Sequence, residues 1–202
     1  MIPGALSFAV HSLKNELRIV GGVIILLGIL PLFGVVVLAN AGISDAALAL
    51  TGVNPISHHV EIRNSNGVVT NSYSASTVWP AHGVVTLEFG QADPPFGIPH
   101  TGIDIAAKSG DSITPFMSGT VIRSIHGTTG FGNYVMLDHG SGLVSLYGHM
   151  SVISADAGTV VKPGDTIGLE GSTGNSTGPH VHFEIRILGI PVNPRLFMVG
   201  NP

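Results

Sequence analysis

Between Val78 and Pro202 no apolar stretch runs far before Gly, Pro, Asn or Asp interrupts it. This punctuation limits the fold more than any other feature. A helix needs several unbroken turns at a 3.6-residue period, and none of useful length is present. What survives between the breaks are short runs rich in β-branched and aromatic residues: Gly119–Ile125, Tyr134–Asp138, Val144–Gly148, Thr166–Glu170 and His180–Leu188. They predict an all-β, turn-rich domain over residues 78–202. The 28 glycines of the chain suit its tight turns.

Upstream the pattern is of another kind. Ile19 to Ala39 carries no charge, and its length matches the roughly 20 residues that a helix needs to span a bilayer core. Pro31 and the glycines of the run are better tolerated in membrane helices than in soluble ones. A mean hydropathy of +0.46 and only 10% charged residues agree with such a segment. Lys14 and Arg18 precede the run, and no Lys or Arg follows until Arg63. The positive-inside bias therefore places residues 1–18 in the cytoplasm and everything after the anchor outside it. A cleaved signal peptide ending at Ala39-Asn40-Ala41 is the rival reading. The run is longer than a usual signal core, which favours an uncleaved, single-pass transmembrane anchor over 19–39. Both readings export the remainder to the periplasm or cell wall. Residues 40–77 read as a linker with one strand pair, His59–Arg63 and Gly67–Asn71, around Asn64-Ser65-Asn66. His58 and His59 there read as solvent-facing.

Composition removes several classes of function. Cysteine is absent, so disulfides, thiolate metal sites, a cysteine nucleophile and a cysteine-borne lipid anchor are all excluded. Any metal must be held by His, Asp or Glu. The net charge of −4, with no basic block, zinc-finger spacing or phosphate loop, argues against a nucleic-acid partner.

Three stretches carry chemistry. The first is Thr173-Gly-Asn-Ser-Thr-Gly-Pro-His180-Val-His182-Phe-Glu184-Ile-Arg186, a loop of turn formers running into a strand after Pro179. Side chains at i and i+2 share one face of a strand, so His180 and His182 project together while Val181 and Phe183 enter a core. Paired imidazoles on a rigid strand make a metal or acid/base platform, or simply a wetted polar face; the pair alone does not decide. The second stretch is Gly97-Ile-Pro-His100-Thr-Gly-Ile-Asp104, where a turn at Thr101-Gly102 would aim both side chains at one point. The third is Leu146-Tyr147-Gly148-His149-Met150. A catalytic zinc takes three protein ligands and keeps a fourth position for water. Two His and one Asp would meet that need and leave two His for proton transfer.

His100-Xaa-Xaa-Xaa-Asp104, Tyr147-Gly148-His149 and the Gly174–Glu184 stretch resemble the lysostaphin-type zinc metallopeptidases that cut peptidoglycan cross-bridges or stem peptides. The resemblance runs from Trp79-Pro80 to Asn193-Pro194. It includes Glu88-Phe-Gly-Gln91, Ser118-Gly-Thr-Val121, Leu137-Asp-His-Gly140 and Val161-Lys-Pro-Gly-Asp165. It implies a small antiparallel β-sheet, sandwich-like peptidase domain of the duplicated-hybrid-motif type, with its site in a groove flanked by loops. It also implies one zinc ion on His100, Asp104 and His182, with His149 and His180 as metal-free catalytic histidines. The implied activity is that of a zinc metalloendopeptidase acting on peptidoglycan. Some relatives of this type have lost ligands and only activate other wall hydrolases, so a non-catalytic wall-binding or regulatory module is the alternative. Either could serve within an envelope-spanning secretion or conjugation machine. Two departures, Gln91 in place of a frequent Arg and the bulky Pro115-Phe116-Met117, lie off the metal set and bear on substrate preference.

Other polar residues have local readings. Glu184 shares the face of His182 and either orients it or has a surface or structural role. Tyr147 either lends its hydroxyl to the site or packs as an aromatic. Asp138, His139, His82 and His126 read as structural. The topology yields a direct test: a reporter fused on the C-terminal side of Pro202 is active outside the cytoplasm. Cytoplasmic activity there would overturn the export of this domain.

Overall fold

The computed structural model describes residues 51–53, 59–63, 66–74, 78–94 and 97–202. The expected cytoplasmic lead at 1–18, the anchor at 19–39 and His58 lie outside the described residues. Among the described residues no helix is long and apolar enough to cross a membrane.

The architecture is all-β and antiparallel, as the punctuated pattern predicts. A three-stranded sheet comes first, from β1 (Thr51–Val53), β2 (His59–Arg63) and β3 (Val69–Ser74). In β2, apolar Val60 and Ile62 alternate with His59, Glu61 and Arg63, so one face can be buried. Val60 and Ile62 are indeed sealed into the core, and the Tyr73 hydroxyl donates to Gly140 O at 3.1 Å. The stretch read as a linker thus carries a sheet with a buried face. His59 is half-buried rather than solvent-facing. Its two ring nitrogens each lie 3.1 Å from a serine hydroxyl, Ser72 and Ser74.

The main domain follows: β4 (Val84–Leu87), β5 (Ala92–Asp93), β6 (Ile98–Pro99), β7 (Ile103–Ala106), β8 (Ser112–Ile113) and β9 (Gly119–Ile125). Next come β10 (Tyr134–Asp138), β11 (Leu143–Gly148), β12 (Val152–Ile153), β13 (Val160–Val161) and β14 (Gly168–Leu169). It ends with β15 (Val181–Ile187), β16 (Ile190–Val192) and a short 3-10 turn at Pro194–Phe197. The large sheet has the order β13-β9-β10-β11-β15-β7-β4, with β16 also on β15. A smaller sheet has the order β12-β14-β8, and β5 pairs with β6. Four of the five strands expected from sequence are present nearly as read, and the fifth, Thr166–Glu170, is reduced to the two residues of β14. The strands that sequence did not single out are the short ones and β7, whose four residues follow a bend.

β15 is the central strand, and it is buried on both faces. Val181, Phe183, Ile185 and Ile187 enter the core, as the period-2 pattern requires. There Phe183 lies opposite Tyr147 in register and stacks on it at 5.4 Å. The bulky Phe116 is core as well. It is 2% exposed and packs against Phe183 and His139. Phe116, at the centre of the departure at 115–117, is therefore a packing residue.

Two turns repeat one device that the sequence reading passed over. Lys108-Ser-Gly-Asp-Ser-Ile113 and Lys162-Pro-Gly-Asp-Thr-Ile167 share a pattern. In each, the Asp carboxylate accepts the Lys N–H (3.2 and 2.9 Å), and the glycine has φ of +91° or +95°. A positive φ at that turn position calls for glycine. Ile113 and Ile167 are both fully buried, and Ile167 N–H donates to Ile113 O at 2.9 Å.

The Tyr147 hydroxyl is structural. It accepts the Phe116 N–H at 3.2 Å and lies 3.0 Å from Ser145 Oγ. Ser145 in turn contacts His139 Nε2 at 2.7 Å, and His139 Nδ1 donates to Ser118 O. Burial holds His139 below its ordinary pKa, so it stays neutral in this chain of hydrogen bonds. Tyr147→Phe removes a buried partner from that chain and should cost about 1–3 kcal/mol of stability. Chemical denaturation of the two proteins side by side measures the loss.

Candidate metal centre

Strand pairing builds the centre. β15 and β7 pair antiparallel with His182 opposite Asp104. Both side chains leave the sheet on the face away from the Val181–Phe183 core. Thr101 and Gly102 bend the chain just before β7, which brings His100 over the same point. Gly102 is needed there for space. A Cβ on it would lie 2.4 Å from Phe183 O and 3.0 Å from His182 Nε2.

One ligand atom from each of His100, Asp104 and His182 lies within 4.8 Å of the others. Asp104 Oδ1 is 2.9 Å from His182 Nδ1 and 3.0 Å from His100 Nε2. The second approach is out of line for a hydrogen bond. His100 Nε2 is thus a buried nitrogen without a hydrogen-bond partner, aimed at the carboxylate. Such an orphan is costly unless something else satisfies it. The other nitrogen of His182, Nε2, lies 3.2 Å from Glu184 Oε1. Glu184 is fully buried. It also accepts from Thr101 Oγ1 and from Arg186 Nε, the latter at 2.6 Å. A carboxylate that accepts the far N–H of a histidine leaves the near nitrogen free to ligate. The donor set, the orphan nitrogen and this orientation fit a divalent cation such as zinc.

Electrostatics agree. Burial alone would raise the Asp104 carboxyl, but His100 and His182 outweigh it and hold the group well below the usual carboxylate range. Burial opposes charge on His182, yet Asp104 and Glu184 overcome this and push it up to about 9. In its charged form His182 offsets Asp104, Glu184 being paired with Arg186 as well. A cation would do that work in its place.

His149 and His180 stand beside the triad, with ring centroids 4.7 Å apart. His180 Nε2 is 3.5 Å from Asp104 Oδ2. His149 has a left-handed backbone at φ +60°, which turns its side chain back over the sheet. Each Nδ1 faces a carbonyl, Thr173 O for His149 at 2.7 Å and Gly178 O for His180 at 2.8 Å. A carbonyl only accepts, so both Nδ1 atoms carry hydrogen and both neutral rings keep their lone pair on Nε2. Burial pushes His149 down to about 4, so it is neutral near pH 7.

All five residues picked from sequence therefore meet at one site. His82 and His126 are exposed, and His139 belongs to the core chain. Sequence reasoning missed Phe131, whose ring lies 5.2 Å from that of His182 with Arg186 on the ring at 5.9 Å. Its flanking glycines, Gly130 and Gly132, were the available signal.

A small antiparallel β domain with a His-Asp-His metal site and two histidines beside it, each with its Nδ1 tied to a carbonyl, has the makings of a metallopeptidase. Comparison with known proteins agrees, and residues 98–194 match peptidase family M23. The chain belongs to this family of zinc metallopeptidases. It is 48% identical over 103 residues to the DD-carboxypeptidase/endopeptidase Mpg of Neisseria meningitidis, covering 51% of this chain and 24% of that protein. It is 31% identical over 135 residues to the murein hydrolase activator NlpD of Salmonella typhimurium, covering 67% of this chain and 34% of the relative. The chain thus spans about a quarter to a third of these curated relatives. Among solved structures, the catalytic domain of the prophage-encoded M23 protein EnpA from Enterococcus faecalis is 37% identical. The match has a TM-score of 0.55 and covers 59% of this chain and 95% of that one. A zinc-containing peptidase from Vibrio cholerae is 28% identical with a TM-score of 0.56, covering 71% of this chain and 47% of that one.

Replacing His100, Asp104 or His182 by Ala should strip most bound zinc, read by metal analysis after dialysis. Because His182 titrates near 9 without metal, zinc must expel a proton. Its apparent affinity should rise about tenfold per pH unit from neutrality towards that value, then level off. Competition titrations at several pH values would reveal a flat profile if the assignment is wrong.

Proposed function

We propose that this chain is a membrane-anchored, exported zinc metalloendopeptidase that cleaves peptide bonds in peptidoglycan, in a stem peptide or a cross-bridge. One observation carries the reading: His100, Asp104 and His182 converge with both His149 and His180 beside them. Anchoring and export rest on the uncharged run at 19–39 and on Lys14 and Arg18 before it. The peptidoglycan substrate is supported by the likeness to a relative named as a peptidoglycan DD-endopeptidase, ShyA of Vibrio cholerae, 39% identical over 95 residues.

His100 Nε2, Asp104 Oδ1 and His182 Nδ1 would hold the ion, and Glu184 would keep His182 in the ligating orientation. The ion would supply a Lewis acid that activates water and polarises the scissile carbonyl. The chain's own residues handle the protons. With hydrogen on Nδ1, the neutral form of either ring has a bare Nε2 that can take a proton from the attacking water. Once protonated at Nε2, that ring becomes a donor to the developing oxyanion or the departing amine. The Nδ1–H bonds to Thr173 O and Gly178 O hold both rings in the base-competent tautomer throughout.

A second reading draws on the likeness to a murein hydrolase activator: a wall-binding regulator on the same scaffold, alone or within an envelope-spanning assembly. The complete residue set favours hydrolysis, since a regulator has no use for two tautomer-locked histidines beside a metal triad. Zinc content together with digestion of purified peptidoglycan separates the two. His149→Ala and His180→Ala should keep zinc and fold but lose wall hydrolysis by roughly 10²–10⁴-fold. His182→Ala should lose both metal and activity. Wild-type cleavage by either metal-retaining variant would remove that histidine from the mechanism.

A further inference from the structure

His149 is held from two directions by loops that carry no metal ligand. One is 126–133, the other 172–178. They are stitched together where they meet. Asn175 N–H donates to Gly130 O at 2.8 Å, and Gly130 N–H donates to Asn175 Oδ1 at 3.2 Å. Gly132 and Gly174 pack backbone to backbone. A Cβ on Gly132 would lie 2.4 Å from Thr173 C, and one on Gly174 would lie 2.3 Å from Gly132 N. Neither position admits a side chain, so the loops cannot separate by small adjustments without losing this contact.

Thr173 is the hub of the contact. Its Oγ1 donates to Met150 O at 2.9 Å and accepts the Asn133 N–H at 2.9 Å. Asn133 braces the same place: Nδ2 donates to Met150 O at 3.0 Å, and Oδ1 accepts the Gly127 N–H at 3.1 Å. His149 sits inside this frame. Its N–H donates to Phe131 O at 2.8 Å, and its ring Nδ1 donates to Thr173 O at 2.7 Å. The left-handed backbone of His149 costs energy in a non-glycine residue, and it persists only where surrounding bonds over-determine it. Those bonds are the ones that Thr173 and Asn133 anchor.

We propose that Thr173 is a positioning residue. Braced by Asn133, it fixes the ring orientation of His149 and its Nδ1–H tautomer, so that the Nε2 lone pair faces the metal centre. The tautomer lock is a statement about structure. Its consequence for turnover rests on the proton-handling role given to His149 above. The hydrogen bonds of Thr173 Oγ1 and of the Asn133 side chain go to Met150, Gly127 and each other's loop and to none of the three metal-site residues, so losing the Thr173 hydroxyl should leave the metal in place.

The test uses the full, zinc-loaded chain labelled with ¹⁵N-histidine. Long-range ¹H–¹⁵N spectra of wild type should give His149 in one form, protonated on Nδ1. A dominant Nε2–H form in wild type overturns the proposal whatever the variants do. Thr173→Val keeps the shape of the side chain and deletes the hydroxyl. It should give His149 mixed tautomers and lower kcat on a soluble cross-linked muropeptide by about a hundredfold, the cost of misplacing a catalytic group by about 1 Å. KM and zinc content should stay as in wild type, and Thr173→Ser should restore both spectrum and kcat. A Thr173→Val protein with the wild-type tautomer and kcat sinks the assignment. His149→Ala run alongside keeps the two readings apart. Full turnover there removes His149 from catalysis, while the spectra still decide what holds its ring.

Discussion

The register between β7 and β15 is the constraint on which the rest depends. It sets His182 opposite Asp104 and, by the same step, puts Val181 and Phe183 into the core. Because side chains alternate strictly, a one-residue slip would bury the histidines against Tyr147 and expose the phenylalanine. The apolar face thus protects the polar one. Every core contact of Phe183, including its stack on Tyr147, also defends the position of the metal triad.

The polar face is expensive in its own way. It buries Asp104, His182 and Glu184 together, and a buried charge is tolerated only when paired. Arg186, Glu184 and His182 sit at alternate positions of β15 and form one ladder of charge on one face. The ladder runs into Asp104 and stops at His100, whose inward nitrogen has no hydrogen-bond partner. A cation at that point completes the alternation of charge. The fold's own strand pairing thus sets His100, Asp104 and His182 at one point, which is the preorganisation that a metal site needs.

Around this rigid floor the walls are loops, and they too are preorganised. His180 is tied to Gly178 and His149 to Thr173, each through the nitrogen that faces away from the centre. The chain uses carbonyls rather than carboxylates for this purpose. A carbonyl orients the ring and selects its tautomer without adding the negative charge that would favour imidazolium. Burial then keeps His149 neutral, against the opposing pull of its bond to Thr173 O.

Sequence by itself determined the fold class, the main strands and the five residues that gather at the candidate metal centre. Each of these rests on local signals: Gly and Pro breaks, period-2 alternation around His180-Val-His182, and a turn at Thr101-Gly102 that can aim His100 and Asp104 at one point. The resemblance that named ligands and acid/base histidines also rested on short contiguous motifs. Only the tertiary structure decided which roles followed from long-range contact. Phe116 is core because Phe183 and His139 close over it, and Tyr147 is structural because Phe116 and Ser145 take its hydroxyl. Glu184 shares the face of His182 by the strand period, but its bond to that ring is fixed in the company of Thr101, which reaches it from another part of the chain. Thr173 matters through Met150 and Asn133, residues far from it in the chain and invisible to any local pattern. A strand's period is written in neighbouring residues, whereas a hydrogen bond across 24 or 40 positions is written only in the folded chain.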